Sequence, residues 1–185
     1  MAIVIEDGTA KADSEAYLSV ADFKSMATKM GFVYSSYTDA QIEQALRRGA
    51  QYLDNKFRYR FLGIRTDGRE QAMEWPRQYV TLTPLRPDVG DWLPVNQTIP
   101  SDEVPIEIIN ASYEATTREL VTPGSLTPDY TSSEQVVSET VGPLSVTYAS
   151  RSGSQAVLPV VTAIDRIVAP ILRRQNNLSG TVVRG

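Results

Sequence analysis

Thr38 and Gln41 open the strongest local signal in the chain. Their spacing is that of a capping box, in which each side chain satisfies a backbone N–H that the first turn of a helix leaves without a partner. Ile42, Leu46, Gly49, Leu53 and Phe57 then recur in three- and four-residue steps, which predicts a helix from about Asp39 to Asn55 with one apolar stripe. A stripe of this kind folds only if other elements cover it, and three further segments have helical spacing. Ser19 caps and Asp22 supports the first, which carries Val20, Phe23, Ala27 and Met30 and closes at Gly31. Pro105 suits the first turn of another, with Ile106, Ile109, Tyr113 and Leu120 apolar and Thr122-Pro123-Gly124 as its breaker. The last starts at Pro159, with Val161, Ile164, Val168, Ile171 and Leu172 inward, and Pro170 within the pattern predicts a kink or an early end.

Between these helices the sequence reads differently. Six of the 11 prolines lie from Pro76 to Pro105, and each removes a backbone donor and restricts its predecessor, so 77–102 is expected to be a long irregular loop. Val136, Ser138 and Thr140 alternate with Val137 and Glu139, Gly142-Pro143 turns the chain, and Leu144, Val146 and Tyr148 alternate on the return, which predicts a hairpin over about 134–149. Beyond Arg174 the segment 175–185 is polar and glycine-bearing and reads as an arm. The expected fold is mainly α: a small helical bundle over 1–174 as a single domain, with a protruding β-hairpin, a long Pro-rich loop and an extended C-terminal arm. At 185 residues one core is the default.

Composition narrows the chemistry. The chain has no histidine and no cysteine, so the commonest catalytic base, thiol chemistry and the usual zinc ligands are missing. No phosphate-loop or dinucleotide glycine pattern occurs, and no calcium-loop spacing surrounds Glu6-Asp7 or Asp88. The closest carboxylate pairs, Asp88 with Asp91 and Asp102 with Glu103, read as loop or capping groups, although a two-carboxylate site stays open at this level. The expectation is therefore no enzyme, no cofactor and no metal site. The short run Ile3-Val4-Ile5 before Glu6-Asp7 is no export signal, and no apolar stretch has the roughly 20 residues that cross a bilayer, so a soluble protein made in the cytoplasm with no membrane partner is expected.

The net charge of −4 argues against a protein held on nucleic acid by its overall field, yet the charge is uneven. From Arg47 to Arg69 seven basic residues stand against Asp54 and Asp67, a local +5, and Lys56-Phe57-Arg58-Tyr59-Arg60-Phe61 alternates basic and aromatic types. If extended, Phe57, Tyr59 and Phe61 share one face and the arginines the other. Arg58, Tyr59, Arg60 and Arg65 could then stack bases and hold phosphates, as single-strand binders do. The plainer and preferred reading has the aromatics anchoring the helix end in the core and the arginines paired with carboxylates. Arg166, Arg173, Arg174 and Arg184 follow Asp165 with no further acid, whereas Val121 to Leu144 holds Asp129, Glu134 and Glu139 and no base, a polarity that suits head-to-tail contacts between copies.

Several short motifs, in order along nearly the whole chain, resemble small head and neck proteins of tailed bacteriophages. They are Met1 to Thr9, Ala16 to Val20, Ala50 to Asp54, Arg58 to Phe61 with Gly63 and Arg65, Glu74-Trp75-Pro76-Arg77, Glu139 to Leu144 and Val182 to Gly185. The resemblance implies a structural head-tail adaptor of the virion neck, also called a connector or head-completion protein, made in the host cytoplasm. Twelve copies would form a ring that joins the portal protein to a downstream neck or tail protein, with DNA passing through the channel. On that reading Arg173, Arg174, Val182, Val183, Arg184, Leu144, Val146 and Tyr148 are the partner-binding residues. Some members of the group carry a label likening them to a primosomal single-strand DNA-binding protein, which makes the stretch 56–65 with Arg58, Tyr59, Arg60 and Arg65 the alternative. The loop 77–102 departs from the shorter members and receives no role.

Overall fold

The computed structural model describes residues 3–82, 97–128, 138–141, 144–147 and 161–173. Among them the chain forms α1 (Val20–Met30), α2 (Asp39–Phe57), β1 (Ile64–Arg65), β2 (Arg77–Gln78), β3 (Val80–Leu82), β4 (Gln97–Ile99), α3 (Ile106–Val121), β5 (Ser138–Val141), β6 (Leu144–Thr147) and α4 (Thr162–Val168), which runs into a 3-10 turn at Ala169–Ile171. The mainly helical expectation holds, with two small antiparallel pairs, β1–β2 and β3–β4, added to the expected hairpin.

The helix ends follow the capping chemistry. The Ser19 hydroxyl accepts from the Asp22 N–H at 3.0 Å, and Gly31 closes α1 in the left-handed region at φ 73°. Both halves of the Thr38–Gln41 box are made. α2 lies at the centre, packing on α1 and most extensively on α3, which in turn packs on α4. Gly49 explains the closeness of α2 and α3, because a Cβ there would lie 3.1 Å from the Thr116 N and 3.2 Å from the Ala115 Cβ. Ile42, Leu46, Leu53, Phe57, Ile108, Ala111, Ala115, Ile164 and Val168 fill the core between these helices. Glu119, 1% exposed, joins them by charge: it pairs with Arg48 Nε at 2.8 Å and accepts from the N–H groups of Gly124 and Leu126, satisfying the turn that ends α3.

Several expectations are corrected. Met30 and Ile106 are exposed rather than inward, because α1 and α3 present Phe23, Ala27, Ile108 and Ala111 to the core and leave their end residues in solvent. α2 continues to Phe57, two residues beyond the expected end. Both ends of the loop 77–102 are paired: β2 pairs with β1, and β3 with β4 in the register Val80↔Ile99, Thr81↔Thr98, Leu82↔Gln97. The residues between, 83–96, lie outside the described ones. α4 starts at Thr162 with Val161 as its N-cap, and Pro170 ends it in the 3-10 turn, as its missing N–H requires. The expected hairpin is present as β5 and β6, in the register Ser138↔Thr147 to Val141↔Leu144. Val136, the turn Gly142-Pro143, Tyr148 and the arm 175–185 lie outside the described residues, and so does Pro159.

Candidate nucleic-acid interface

The basic and aromatic stretch does not extend. Phe61 N–H donates to the Phe57 carbonyl at 3.0 Å, so the chain makes one more helical turn and Phe57 and Phe61 fall on the same side, four residues apart. Both are buried, with ring centroids 6.1 Å apart, and Phe61 meets Trp75 edge-on at 5.7 Å. Tyr59, which the extended reading placed with them, is 87% exposed. The plainer reading therefore holds for the two phenylalanines and fails for the tyrosine.

It also holds for much of the charge. Arg47 pairs with Glu15 at 3.0 Å and Glu43 at 3.6 Å, Arg48 with Glu119, Lys56 with Asp165 at 2.7 Å, and Arg58 with Glu74 at 3.2 Å. Burial works against the Lys56 ammonium, but Asp165 and the Tyr52 hydroxyl hold its pKa above the ordinary lysine value. Arg65 donates to the Gln71 carbonyl and is turned toward its own loop. Arg60 has no carboxylate in ion-pair range among the described residues; its guanidinium lies 5.9 Å from the Phe57 ring centre, and its Nε has no protein partner. Arg58 keeps nearly half of its side chain in solvent despite its pair.

A tertiary contact completes the patch. Phe61 and Leu172 form an antiparallel bridge, with Leu62 N–H donating to the Ile171 carbonyl at 3.0 Å and Arg173 N–H to the Arg60 carbonyl at 2.7 Å. Arg60 and Arg173 thus sit opposite each other, next to Arg58 and Tyr59. Residues read separately from the sequence as a DNA stretch and as part of a docking surface come together here. Arg65 does not join them. Arg174, Val182, Val183, Arg184 and Tyr148 lie outside the described residues, and the side chains of Leu144 and Val146 are likewise not described.

Tyr79 is the residue that sequence reasoning missed. It is 77% exposed and adopts φ 60°, a left-handed backbone that costs a side-chain-bearing residue about 1–2 kcal/mol. Its flanks hold it there. Val80 is buried, and buried Arg77 donates to the Leu62, Gly63 and Glu74 carbonyls and pairs with the Glu74 carboxylate at 2.9 Å. Gly63 permits the approach, since a Cβ there would stand 2.3 Å from the Gln78 carbonyl oxygen and 2.7 Å from Val80 Cγ2. Tyr59 and Gly63 are four residues apart and Gly63 abuts Gln78 and Val80, so the two exposed tyrosines are separated by no more than about 20 Å. No sequence signal marks a tyrosine for positive φ; such outliers concentrate at functional sites.

A polar network supports the patch from below. The Tyr17 hydroxyl donates to Asp54 Oδ1 at 2.6 Å, and Glu74 N–H donates to Asp54 Oδ2 and to the Tyr17 oxygen, both at 3.1 Å. Burial pushes the Asp54 carboxyl up to about 7, against these hydrogen bonds, and raises the Tyr17 hydroxyl further above its usual value. Glu74 thereby links the buried acid to both Arg58 and Arg77.

The arrangement offers guanidinium groups for phosphates and exposed aromatic faces for bases. Among the described residues no group of three histidine, cysteine, aspartate or glutamate side chains could hold a metal ion, and no helix is long and apolar enough to cross a membrane. The model of a family described as "Putative DnaT-like ssDNA binding protein" matches residues 1–185. No curated protein and no solved structure matches. The match overturns the expectation of a head-tail adaptor in a phage neck and favours the single-strand alternative instead.

Proposed function

The chain belongs to the family of DnaT-like ssDNA-binding proteins, and from that premise we propose that it binds single-stranded DNA through Arg58, Tyr59, Arg60 and Arg173, with Tyr79 as a second stacking surface. The observation that carries this reading is the bridge between Phe61 and Leu172, which sets Arg60 against Arg173 beside an exposed tyrosine. Guanidinium groups suit phosphate oxygens, and tyrosine faces stack on any base, so these contacts themselves do not depend on the base. The overall charge of −4 does not forbid this. At physiological salt the field decays over about 8 Å, so the local cations decide the encounter and distant carboxylates count for little. No reaction is part of the proposal.

Fluorescence anisotropy on a labelled short oligo(dT) across a salt series tests it. Three arginines on three phosphates predict a log–log salt slope near −2, at about 0.7 per phosphate for a single strand. Arg60→Ala with Arg173→Ala should flatten that slope by about 1.4. Tyr59→Ala should weaken binding about 5- to 150-fold, the worth of one stacked base. Affinity that ignores salt, or a double arginine variant that binds like the parent, would refute the proposal.

A further inference from the structure

Beside Arg58 the surface opens into a cavity of about 260 Å³, between one face of α2 and the segments Ser14–Glu15 and Ala72–Met73. It lies below the 300–1,000 Å³ typical of drug-sized ligands, which suits a single ring system. Its charged walls are already partnered: Arg47 with Glu15 and Glu43, Arg58 with Glu74, and Asp54 with the Tyr17 hydroxyl and the Glu74 N–H. The exposed half of Arg58 can meet a phosphate at the rim, but a phosphate inside the cavity would have to break the Arg47 pairs and lie against Glu15 and Asp54. A neutral, planar, polar ligand need do neither.

Two groups on the cavity face remain. Gln51 and Asn55 stand four residues apart on α2, so their side chains are neighbours, and among the described residues neither amide has a hydrogen-bond partner. An amide offers a donor and an acceptor side by side, the pattern that pairs with the edge of a nucleobase. Arg58 belongs both to this cavity and to the proposed DNA surface. We propose that the cavity takes one unstacked base of the bound strand and reads its edge with the amides of Gln51 and Asn55. This rests on the single-strand reading above.

The test compares oligo(dA), oligo(dC), oligo(dT) and an abasic sugar–phosphate strand of equal length, on the parent protein and on Gln51→Ala with Asn55→Ala. Both residues are exposed and helical, and alanine favours helix, so the variant should keep its fold. The parent should bind its preferred homopolymer at least tenfold more tightly than the least preferred one, and the double variant should level the homopolymers to within about twofold while keeping its salt slope. An unchanged ranking in the double variant, or a parent that does not distinguish the bases, overturns the base pocket and leaves DNA binding standing. A parent that binds none of the strands at low salt overturns both.

Discussion

Asp54 makes a prediction that the composition of this chain renders unusually clean. Its carboxyl is 8% exposed and rises from an ordinary 3.8 to about 7, chiefly because burial disfavours the charge. Between these values the folded protein holds a proton that the unfolded chain has released. The stabilisation from that proton is fully present below 3.8 and is lost as pH climbs through about 7. Carboxylates with lowered values act in the opposite sense: Asp7, held at about 2 by Lys11 and Thr9, and Glu15, lowered by Arg47. Their effect lies below about pH 5, where free carboxylates titrate. With no histidine in the sequence, the interval from pH 5 to 7 belongs, among the described residues, largely to Asp54. At about 1.4 kcal/mol per pH unit, with the slope halving as the proton leaves near pH 7, stability should fall by about 2 kcal/mol across that interval. Urea unfolding at half-unit steps from pH 5 to 7.5, on the parent and on Asp54→Asn, measures it. The asparagine cannot accept from Glu74 N–H with its amide nitrogen and should be less stable than the parent by about 1–3 kcal/mol at pH 5, a gap that narrows toward pH 7 because its own profile is flat. A parent whose stability is constant or rises from pH 5 to 7, or an asparagine variant that keeps the slope, would refute the reasoning.

Two further outcomes concern stability directly. Tyr79→Gly should be more stable than Tyr79→Ala by about 0.5–1 kcal/mol in chemical unfolding, since glycine releases the left-handed strain and alanine keeps it; the usual order of the two would show that Tyr79 is unstrained. Both should lose oligonucleotide affinity alike, because each removes the ring. Glu119→Ala leaves the N–H groups of Gly124 and Leu126 without their acceptor and takes the ion pair from partly exposed Arg48, and should cost about 2–4 kcal/mol, or roughly 10 °C in thermal unfolding, with Glu119→Gln costing less. A change below about 1 kcal/mol in the alanine variant would show that the pair carries nothing.

The parts of the fold governed by neighbours in sequence were readable. Ser19, Thr38–Gln41, Gly31 and Pro170 act within a turn of themselves, and each did what its local chemistry requires. The strand pair near 138–147 also followed from alternation alone. What failed depends on distant partners. Alternation at 56–61 carries both a period of two and a four-residue Phe57–Phe61 pair, and only Trp75 and the core behind it select the second. Asp54 in sequence is one acid subtracting from a basic run; in the fold it is buried under Tyr17. Of the candidate interface, Arg58, Tyr59 and Arg60 were named from the stretch itself, whereas their meeting with Arg173 needed the bridge. Tyr79 was hidden because the prolines around it suggested an irregular loop where β2 and β3 form.

The bridge from Phe61 to Leu172 joins positions 111 residues apart. Closing a loop of that length costs entropy before any contact repays it, so the bridge is expected to form after the local helices, an order that folding kinetics of Leu172 and α2 variants would check. During synthesis the segment that carries Arg58, Tyr59 and Arg60 leaves the ribosome well before Arg173 can reach it. On the proposed reading, competence to hold a strand would come only with this closure, and a bound oligonucleotide would favour the closed arrangement by mass action. Nascent or partly opened chains would present half a cationic site, so on that reading the closure that joins Leu172 to Phe61 would also time the first engagement with DNA.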